Sequence, residues 1–226
     1  MKKVILISSH CRDVAKTNVE KKCCDFFHSR HPEADIHIFY SGIKTDIPYA
    51  TYHKKTDTTT ISGYKMMWEF LYESDNDYAI MLDNDVTIRD FFDVRFETVF
   101  EMCIAKVDIM TISANWMTKN VENYIGRKKS FCSRIYCMKN LRKKGLRELY
   151  LIDTPYVAGP DVDFGLDLLI NQKALIYEYK GSRQVLLDNV GIIDRTKGDG
   201  ALLYRKEKIE IHKKYNLPPP KFKKKI

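Results

Sequence analysis

Two carboxylates one residue apart, Asp83 and Asp85, stand directly after an apolar run in the sequence. The run, Tyr78 to Leu82, is short and bounded by polar residues, which is typical of a strand buried on both faces. Open α/β sheets bind ligands at the carboxyl ends of such strands, and side chains two positions apart in extended chain point to the same side. Carboxylate oxygens suit Mg²⁺ or Mn²⁺ together with phosphate oxygens. The pattern predicts a divalent-cation site, although Asp-Asn-Asp is also an ordinary way to open a turn.

Strands and helices alternate upstream of the two carboxylates. Apolar runs predict strands, and apolar positions at helical spacing predict helices, the first of which ends before Pro32. Two strands joined through a helix form a right-handed parallel crossover. The predicted order is strand, helix, strand, long polar loop and helix, over residues 3–9, 14–30, 35–40, 45–60 and about 61–71.

The chain downstream predicts further strands and helices around a basic, aromatic and weakly periodic stretch. The predicted elements are a helix ending near Cys103, a strand at 107–112, a hairpin around 131–138, a short helix near 140–149, a helix at 163–171, strands at 174–179 and 184–189, a loop at 193–200 and a helix at 201–215. We see no internal boundary, so we predict one α/β domain, 1–217, with a mixed, mostly parallel sheet flanked by helices, and a basic tail, 218–226.

Composition and charge describe an ordinary globular chain with a basic bias. The chain has 226 residues, of which 44% are hydrophobic and 30% are charged, and its net charge is +8. It has no apolar run of 18 residues, and the apolar core of its N-terminus is too short for a signal peptide, so we expect neither a transmembrane helix nor secretion. The tail carries four lysines, which indicate a solvated end that also allows a weak contact with an anionic membrane surface.

The cysteines do not follow a metal-binding pattern. They stand at 11, 23, 24, 103, 132 and 137, without a CxxC pair and without a histidine at zinc-finger spacing. Core packing is therefore the expected role, rather than structural zinc. Reduced thiols and the missing signal peptide predict a cytoplasmic protein, located in the host cytoplasm if it is viral.

The order of elements around Asp83-Asn84-Asp85 resembles the GT-A class of nucleotide-sugar glycosyltransferases over roughly residues 3–195. The size, the lysine-rich composition and the absence of a membrane anchor are also similar to the small soluble glycosyltransferase domains of large DNA viruses that infect algae. The resemblance implies a nucleotide-binding half, 1–112, and an acceptor-binding half, 113–217. It also implies that the Asp-x-Asp holds Mn²⁺ or Mg²⁺ on the diphosphate of a donor, with a UDP-sugar favoured because UDP is the commonest donor nucleotide of this class.

The same resemblance implies transfer of a sugar to a glycan or glycoprotein acceptor. Inversion is the expected stereochemical outcome, and no nucleic-acid partner is expected. Residues after strand one lie where such enzymes hold the nucleoside, the polar loop can reach base or ribose, and two lysines can add positive charge near the diphosphate. Each of these residues also has an ordinary explanation as a surface lysine or a turn residue. The residues implied for donor binding are Ser8, Ser9, His10, Arg12, Asp46, Asp57, Lys65, Asp83, Asn84 and Lys197.

An inverting transfer needs a general base for the acceptor hydroxyl. Asp161 and Asp163, after Gly159-Pro160, resemble the acidic pair found at this point in inverting GT-A enzymes; Asp163 is the better base and Asp161 the better ligand of the acceptor hydroxyl. Either residue can instead cap the following helix. Many GT-A enzymes also supply a late histidine to the metal, whereas residues 187–191 contain none, so Asp188, Asn189 or a water takes that place.

Two other classes stay open. Asp83-Asn84-Asp85-Val86-Thr87 fits the DxDxT signature of phosphatases of the HAD class, in which the first Asp is the nucleophile and the second is the acid/base; one of the later acidic residues then holds Mg²⁺. That motif normally follows the first strand of its fold, whereas two predicted strands precede it here. The third reading is a non-enzymatic module that binds an acidic polymer through basic and aromatic residues of 115–147. In the glycosyltransferase reading, the same stretch forms the acceptor side.

Overall fold

The computed structural model describes residues 1–55, 60–113, 125–127, 134–144, 156, 160–187 and 198–220. Strands and helices alternate along the first part of this chain and are followed by a β-rich part and two further helices. In chain order they are β1 (Lys3–Cys11), α1 (Val14–Arg30), β2 (Asp35–Gly42), β3 (Ala50–Lys54), α2 (Thr60–Glu73), β4 (Tyr78–Asp83), β5 (Val86–Asp90), α3 (Phe96–Cys103), β6 (Ile109–Ser113), β7 (Ile125–Arg127), β8 (Ile135–Lys139), a 3₁₀ turn (Leu141–Lys144), α4 (Pro160–Ile170), β9 (Ile176–Leu186) and α5 (Gly198–Lys214).

The predicted alternation of strands and helices up to β4 is confirmed, and four differences from the predicted elements are observed. The predicted polar loop, 45–60, contains the edge strand β3, and β5 begins directly after the two carboxylates. The two strands predicted at 174–179 and 184–189 are one strand, β9, which pairs with several partners along its length. Helix α5 starts at Gly198, inside the loop predicted at 193–200.

All strands of the described chain belong to one mixed sheet, as predicted. Its order is β3-β2-β1-β4-β8-β6-β9-β5, and β7 also pairs with β9. Strands β3, β2, β1 and β4 are parallel to one another, whereas β8 lies antiparallel between β4 and β6. The carboxyl ends of the four parallel strands therefore meet at one edge of the sheet, and this is the edge at which α/β sheets bind ligands.

Contacts divide the chain into two compact units. The first unit, Met1–Lys128 with Ser133–Leu151 and Leu175–Asp188, contains the whole sheet and helices α1 to α3. Its main core cluster includes the apolar strands β1, β2 and β4 and the inward faces of α1 and α3. The second unit, Lys129–Cys132 with Ile152–Ala174 and Asn189–Ile226, contains α4 and α5, which pack through Val162, Leu166 and Ile211. None of the described helices is both long enough and apolar enough to cross a membrane.

A buried ion-pair network ties the end of α1 to α3 and β5 in the first unit. Arg30 donates from two nitrogens to the two oxygens of Glu97, at 2.9 and 2.6 Å, and also pairs with Asp90 at 2.8 Å. The His31 Nε2 lies 3.2 Å from Glu97, whose side chain is only 2% exposed. Burial by itself would raise the pKa of Glu97, but the contact with His31 and the hydrogen bonds from Arg30 outweigh it and lower the pKa to about 2.

This network predicts an acid-sensitive contribution to stability. Because the pKa of Glu97 falls from 4.5 to about 2 on folding, the native state binds this proton more weakly than the unfolded state. The contribution is fully present above pH 4.5 and is lost as the pH falls towards 2; such a shift corresponds to roughly 3 kcal/mol. We expect Glu97→Gln to remove this part of the pH dependence of the free energy of unfolding, measured by urea denaturation at pH 7, 4.5 and 3.

The matched control is Glu73→Gln, because the Glu73 side chain is 76% exposed and lies 4.0 Å from Arg142. This variant should follow the wild-type pH profile, since an exposed pair contributes little. Parallel profiles for wild type and Glu97→Gln would contradict the prediction.

Candidate functional site

The Asp83-Asn84-Asp85 segment forms the tight connection between β4 and β5. Its backbone is fixed from three sides, by β1, by the residue before β8 and by the residue after β9. The hydrogen bonds run from Asp83 N to Arg134 O (3.0 Å), from Asn84 N to Ser8 O (3.2 Å) and from Leu187 N to Asp85 O (2.8 Å). The connection is therefore held as rigidly as the sheet edge itself, and the three side chains leave it in defined directions.

The carboxylates of Asp83 and Asp85 face the same cation, the guanidinium of Arg134. The Arg134 Nη1 lies 3.1 and 3.4 Å from the two oxygens of Asp85. The Arg134 Nε lies 4.0 Å from Asp83 Oδ2, and the side chains of Asp83, Asp85 and Arg134 are 25%, 14% and 31% exposed. The predicted pair of carboxylates thus converges on one positively charged position, which is open to solvent.

Helix α2 supports Asp83 from the other side. The Tyr64 hydroxyl donates to Asp83 Oδ1 at 3.4 Å. One turn further along α2, the buried Trp68 donates from Nε1 to the hydroxyl of Tyr136 on β8 at 3.1 Å. The α2–β8 contact therefore joins the helix that carries Tyr64 to the strand that follows Arg134.

The Asn84 side chain points away from the carboxylates into a buried polar cluster under β1. Its Nδ2 donates to Glu20 Oε2 at 2.9 Å and to Ser9 Oγ at 3.2 Å. The Ser9 hydroxyl and the Cys11 thiol also donate to this Glu20 oxygen, and Ser9, Cys11 and Glu20 are at most 1% exposed. Burial raises the pKa of Cys11 to about 11, so the thiol stays protonated and donates. Ser9 and Asn84, both predicted to bind donor, here fix the connection from below, which argues against a direct contact with nucleotide.

This buried cluster predicts that Glu20→Ala and Glu20→Gln lower the free energy of unfolding by different amounts. Glu20→Ala removes the acceptor of three donors, of which Ser9 and Cys11 are buried, and should lower the free energy of unfolding by about 3 kcal/mol. Glu20→Gln can keep the oxygen that accepts the three hydrogen bonds. Its amide nitrogen then takes the position of Glu20 Oε1, which has no hydrogen-bond partner among the described residues, so we expect a clearly smaller loss of stability. Urea denaturation measures both, with the exposed neighbour Lys21→Ala as control. Equal losses for Glu20→Gln and Glu20→Ala would show that the acceptor oxygen does not matter.

A neutral histidine lies at the carboxyl end of β1. His10 Nδ1 lies 2.6 Å from the Ser41 hydroxyl on β2, and its Nε2 accepts from Arg12 Nε at 2.9 Å. Burial lowers the pKa of His10, and the positive charges of Arg12 and Lys55 lower it further. His10 and Arg12, for which donor binding stays a prediction, lie next to each other, with Ser41 and Lys55 nearby. The buried lysine side chain is unexpected, because Lys55 is only 6% exposed.

Ser8 faces the opposite side of β1 from Ser9, as strand alternation requires. It pairs with Asp83 across the sheet, is 7% exposed, and lies so close to Gly63 of α2 that a Cβ at position 63 would collide with the Ser8 hydroxyl. Lys65 lies on α2 and is half-buried, and Asp46 is exposed. The predicted residues Asp57, Asp188 and Lys197 lie outside the described residues.

The second unit holds Asp163 in a buried ion pair. The Asp163 side chain is 0% exposed, and Lys214 Nζ donates to its two oxygens at 2.8 and 3.0 Å. The hydroxyl of Tyr215 donates to the Asp163 carbonyl at 3.1 Å. Full burial and pairing with lysine argue against the predicted role of Asp163 as general base, because both proton-accepting oxygens are already engaged. Asp161 lies in the first turn of α4.

The donor set is compatible with a divalent cation. Across the described part of the chain, no group of three or more His, Cys, Asp or Glu side chains is arranged to hold a metal ion. Asp83 and Asp85 supply two hard oxygen ligands, and Mg²⁺-type sites commonly use one or two carboxylates and complete the shell with waters and substrate phosphates. The position between them already accommodates a positive charge, that of Arg134. The residues therefore fit a metal that is held jointly with a diphosphate.

Three residues of this site were not singled out from the sequence: Arg134, Tyr64 and Glu20. Tyr64 lies within the predicted helix at about 61–71, and its hydroxyl gives no separate signal in the sequence. Glu20 lies in a predicted amphipathic helix, where a glutamate normally faces solvent. Arg134 lies within the predicted hairpin around 131–138, but only the pairing of β8 with β4 brings it to Asp85.

Comparison with solved structures identifies the fold. Glucosyl-3-phosphoglycerate synthase from Mycobacterium tuberculosis, solved with Mn²⁺, UDP and glucosyl-3-phosphoglycerate, is similar with a TM-score of 0.51 and 11% identity, covering 95% of this chain and 81% of that chain. A Bacillus anthracis protein assigned as a glucose-1-phosphate thymidylyltransferase is similar with a TM-score of 0.51 and 11% identity, covering 89% of this chain and 95% of that chain. Sequence comparison finds no matching family model and no matching curated protein.

A glycosyltransferase involved in glycosylation of the major capsid of the virus PBCV-1 gives a TM-score of 0.42 at 10% identity, covering 78% of this chain and 82% of that chain. That TM-score is below 0.5, so it does not establish a shared fold. The first two similarities establish the fold alone, because their identities are far below 25%. The chain therefore has the α/β fold of these two proteins, which is the GT-A-like fold predicted from the sequence.

Proposed function

We propose that this chain is a glycosyltransferase that transfers a sugar from a nucleotide-sugar, with a UDP-sugar favoured, to a glycan or glycoprotein acceptor with inversion. One observation carries the proposal: Asp83 and Asp85 converge on one cation position at the carboxyl end of β4. In a GT-A-like sheet this is the edge at which a ligand binds. The mycobacterial synthase of similar fold was solved with Mn²⁺ and UDP, which supports the same ligand class here.

The residues of the first unit divide into two groups by what they can hold. Asp83 and Asp85 would hold Mn²⁺ or Mg²⁺, which when bound supplies a Lewis acid for the negative charge that develops on the leaving diphosphate. Asp188 remains a proposal for a third metal ligand. Around the carboxyl end of β1, His10 and Ser41 offer hydrogen-bonding groups to a nucleoside, and Arg12 adds positive charge.

Additional positive charge near the diphosphate is proposed for Lys55, Lys65 and Lys197, since fixed charges stabilise a leaving group without reorganisation. For the general base we propose Asp161, at the start of α4, because the Asp163 carboxylate is engaged by Lys214. Asp57 remains a proposal for base or ribose recognition.

The fold argues against the phosphatase alternative. Phosphatases of the HAD class are defined by their own fold, whereas this chain has a GT-A-like fold and its Asp-x-Asp follows the fourth strand. The alternative of an acidic-polymer-binding module depended on residues 115–147, most of which lie outside the described residues, so only a binding experiment decides it.

The testing experiment is a thermal-shift titration with UDP, GDP and several UDP-sugars, each with and without Mn²⁺. A ligand that binds only the native state raises stability by RT ln(1 + [L]/Kd), which is about 2.7 kcal/mol at 100 times Kd. We expect a shift that requires both Mn²⁺ and one nucleotide class. A shift with heparin or polyphosphate but with no nucleotide would favour the polymer-binding alternative and contradict the proposal.

A further inference from the structure

Arg134 holds the place that a divalent cation would take between Asp83 and Asp85. It does so from a fixed backbone position, because its carbonyl accepts the Asp83 N–H at 3.0 Å and the following residue pairs with Leu82. The start of the Arg134 side chain therefore stays beside Asp83, whichever group the guanidinium contacts. Only the guanidinium itself is free to change partners.

The ion pair between Arg134 and Asp85 has the geometry of a contact that exchanges readily. A single nitrogen, Nη1, contacts both oxygens of Asp85, at 3.1 and 3.4 Å, whereas the strongest arginine–carboxylate pairs use two nitrogens in parallel. The guanidinium reaches Asp83 only at 4.0 Å, and its side chain is 31% exposed. Solvent can therefore replace the contact at small cost.

A divalent cation and this guanidinium exclude each other from the two carboxylates. Both are positive, both need the same oxygens, and like charges at these distances repel strongly. When the metal binds, Arg134 has to leave, but its backbone keeps the side chain beside the metal. A diphosphate bound to that metal would place negative oxygens within reach of the displaced guanidinium, whose planar donors match phosphate oxygens.

We propose that Arg134 and the metal exchange on Asp83 and Asp85, and that the displaced Arg134 then binds the donor diphosphate. The inference rests on the proposed function. It adds Arg134 to the donor-binding residues, and it adds a coupling between metal binding and nucleotide binding. Without nucleotide, Arg134 neutralises the carboxylates and weakens metal binding. With nucleotide, the displaced guanidinium gains a new partner, so metal and nucleotide strengthen each other's binding, and this coupling is reciprocal.

The experiment measures two affinities in wild type, Arg134→Met and Arg134→Lys. Isothermal titration calorimetry of metal-free protein with Mn²⁺, in the absence of nucleotide, gives the first; titration of UDP and GDP at saturating Mn²⁺ gives the second. For Arg134→Met we expect Mn²⁺ to bind at least tenfold more tightly and the nucleotide to bind at least tenfold more weakly. Arg134→Lys keeps the positive charge without the planar donors, so its Mn²⁺ affinity should stay near wild type while its nucleotide affinity falls.

Arg89→Met is the matched control, because Arg89 is an exposed arginine on β5 and its loss changes the net charge equally. Both affinities of this variant should stay within about twofold of wild type. Unchanged or weaker Mn²⁺ binding in Arg134→Met, or unchanged nucleotide binding, overturns the exchange and leaves the proposed function standing. Absence of nucleotide binding in every variant, wild type included, overturns the proposed function and the exchange with it.

Discussion

Replacing Asp85 by asparagine should abolish Mn²⁺-dependent nucleotide binding while leaving the fold intact. The carboxylate is one of only two acidic ligands near the cation position in the described structure, and an amide is a far poorer ligand for a hard cation. We expect nucleotide affinity in Mn²⁺ to fall by roughly 100-fold or more, since even indirect changes around a metal typically cost 10–100-fold. Asp83→Asn should act in the same direction and also weakens the contact with Tyr64.

The cost in stability should be small, because Asp85 pairs with an arginine that is 31% exposed, and such pairs contribute about 1 kcal/mol or less. The measurement is titration of UDP and GDP with Mn²⁺, together with the melting temperature of each variant. Asp35→Asn is the control, since Asp35 is exposed and begins β2, at the opposite end of that strand from the candidate site. Wild-type affinity in both Asp83→Asn and Asp85→Asn would remove the two carboxylates from the site.

The strands that carry this site are predictable from the sequence because continuous apolar runs indicate that they are buried. Val4 to Ile7 and Tyr78 to Leu82 are continuous apolar runs, and each residue in them is at most 1% exposed. Helix α1 has the predicted bounds, 14–30, since Asp13 caps its N-terminus and Pro32 prevents its continuation. Where the apolar pattern agrees with capping and helix-ending residues, local sequence is sufficient to predict the bounds of an element.

The edge strand β3 shows where local sequence is insufficient. Residues 50–54 are polar and partly exposed, and they form a strand only because β2 offers an unpaired edge in parallel register. Two further contacts depend on distant partners in the same way. Arg134 meets Asp85 because β8 pairs with β4, and Glu20 is buried because Ser9 on β1 and Asn84 in the β4–β5 connection both reach it. Arg134 and Asp85 are 49 positions apart, and Asn84 and Glu20 are 64 positions apart, so no local pattern specifies these two contacts.

Asp163 is the case in which one sequence pattern fits two roles. An acidic residue shortly after Gly-Pro at a helix start is compatible with a general base and with a structural carboxylate. The deciding partner, Lys214, lies 51 residues downstream on α5. The structure favours the structural role, and the two roles differ in what substitution should do.

If Asp163 is structural, Lys214→Met should be the most destabilising substitution in this pair. It leaves a carboxylate with 0% exposure without its cation, and breaking a buried ion pair costs about 3–5 kcal/mol. Because Lys214 is itself 39% exposed, we expect the lower end, about 3 kcal/mol, or a fall in melting temperature of roughly 6–10 °C. Asp163→Asn should cost less, since the amide oxygen still accepts from Lys214 and the released charge faces solvent. The exposed neighbour Lys213→Met should melt like wild type.

Measurements of donor binding and sugar transfer distinguish the roles of Asp161 and Asp163. We expect Asp163→Asn to lose stability while the folded fraction binds nucleotide and transfers sugar normally, because its carboxylate is engaged by Lys214 rather than by an acceptor. Asp161→Asn should show the converse, with unchanged melting temperature and nucleotide affinity but transfer reduced by about 100-fold or more, the contribution typical of a general base. Loss of transfer in stable, nucleotide-binding Asp163→Asn would restore Asp163 as the base, and it would require the pair with Lys214 to open when the acceptor binds.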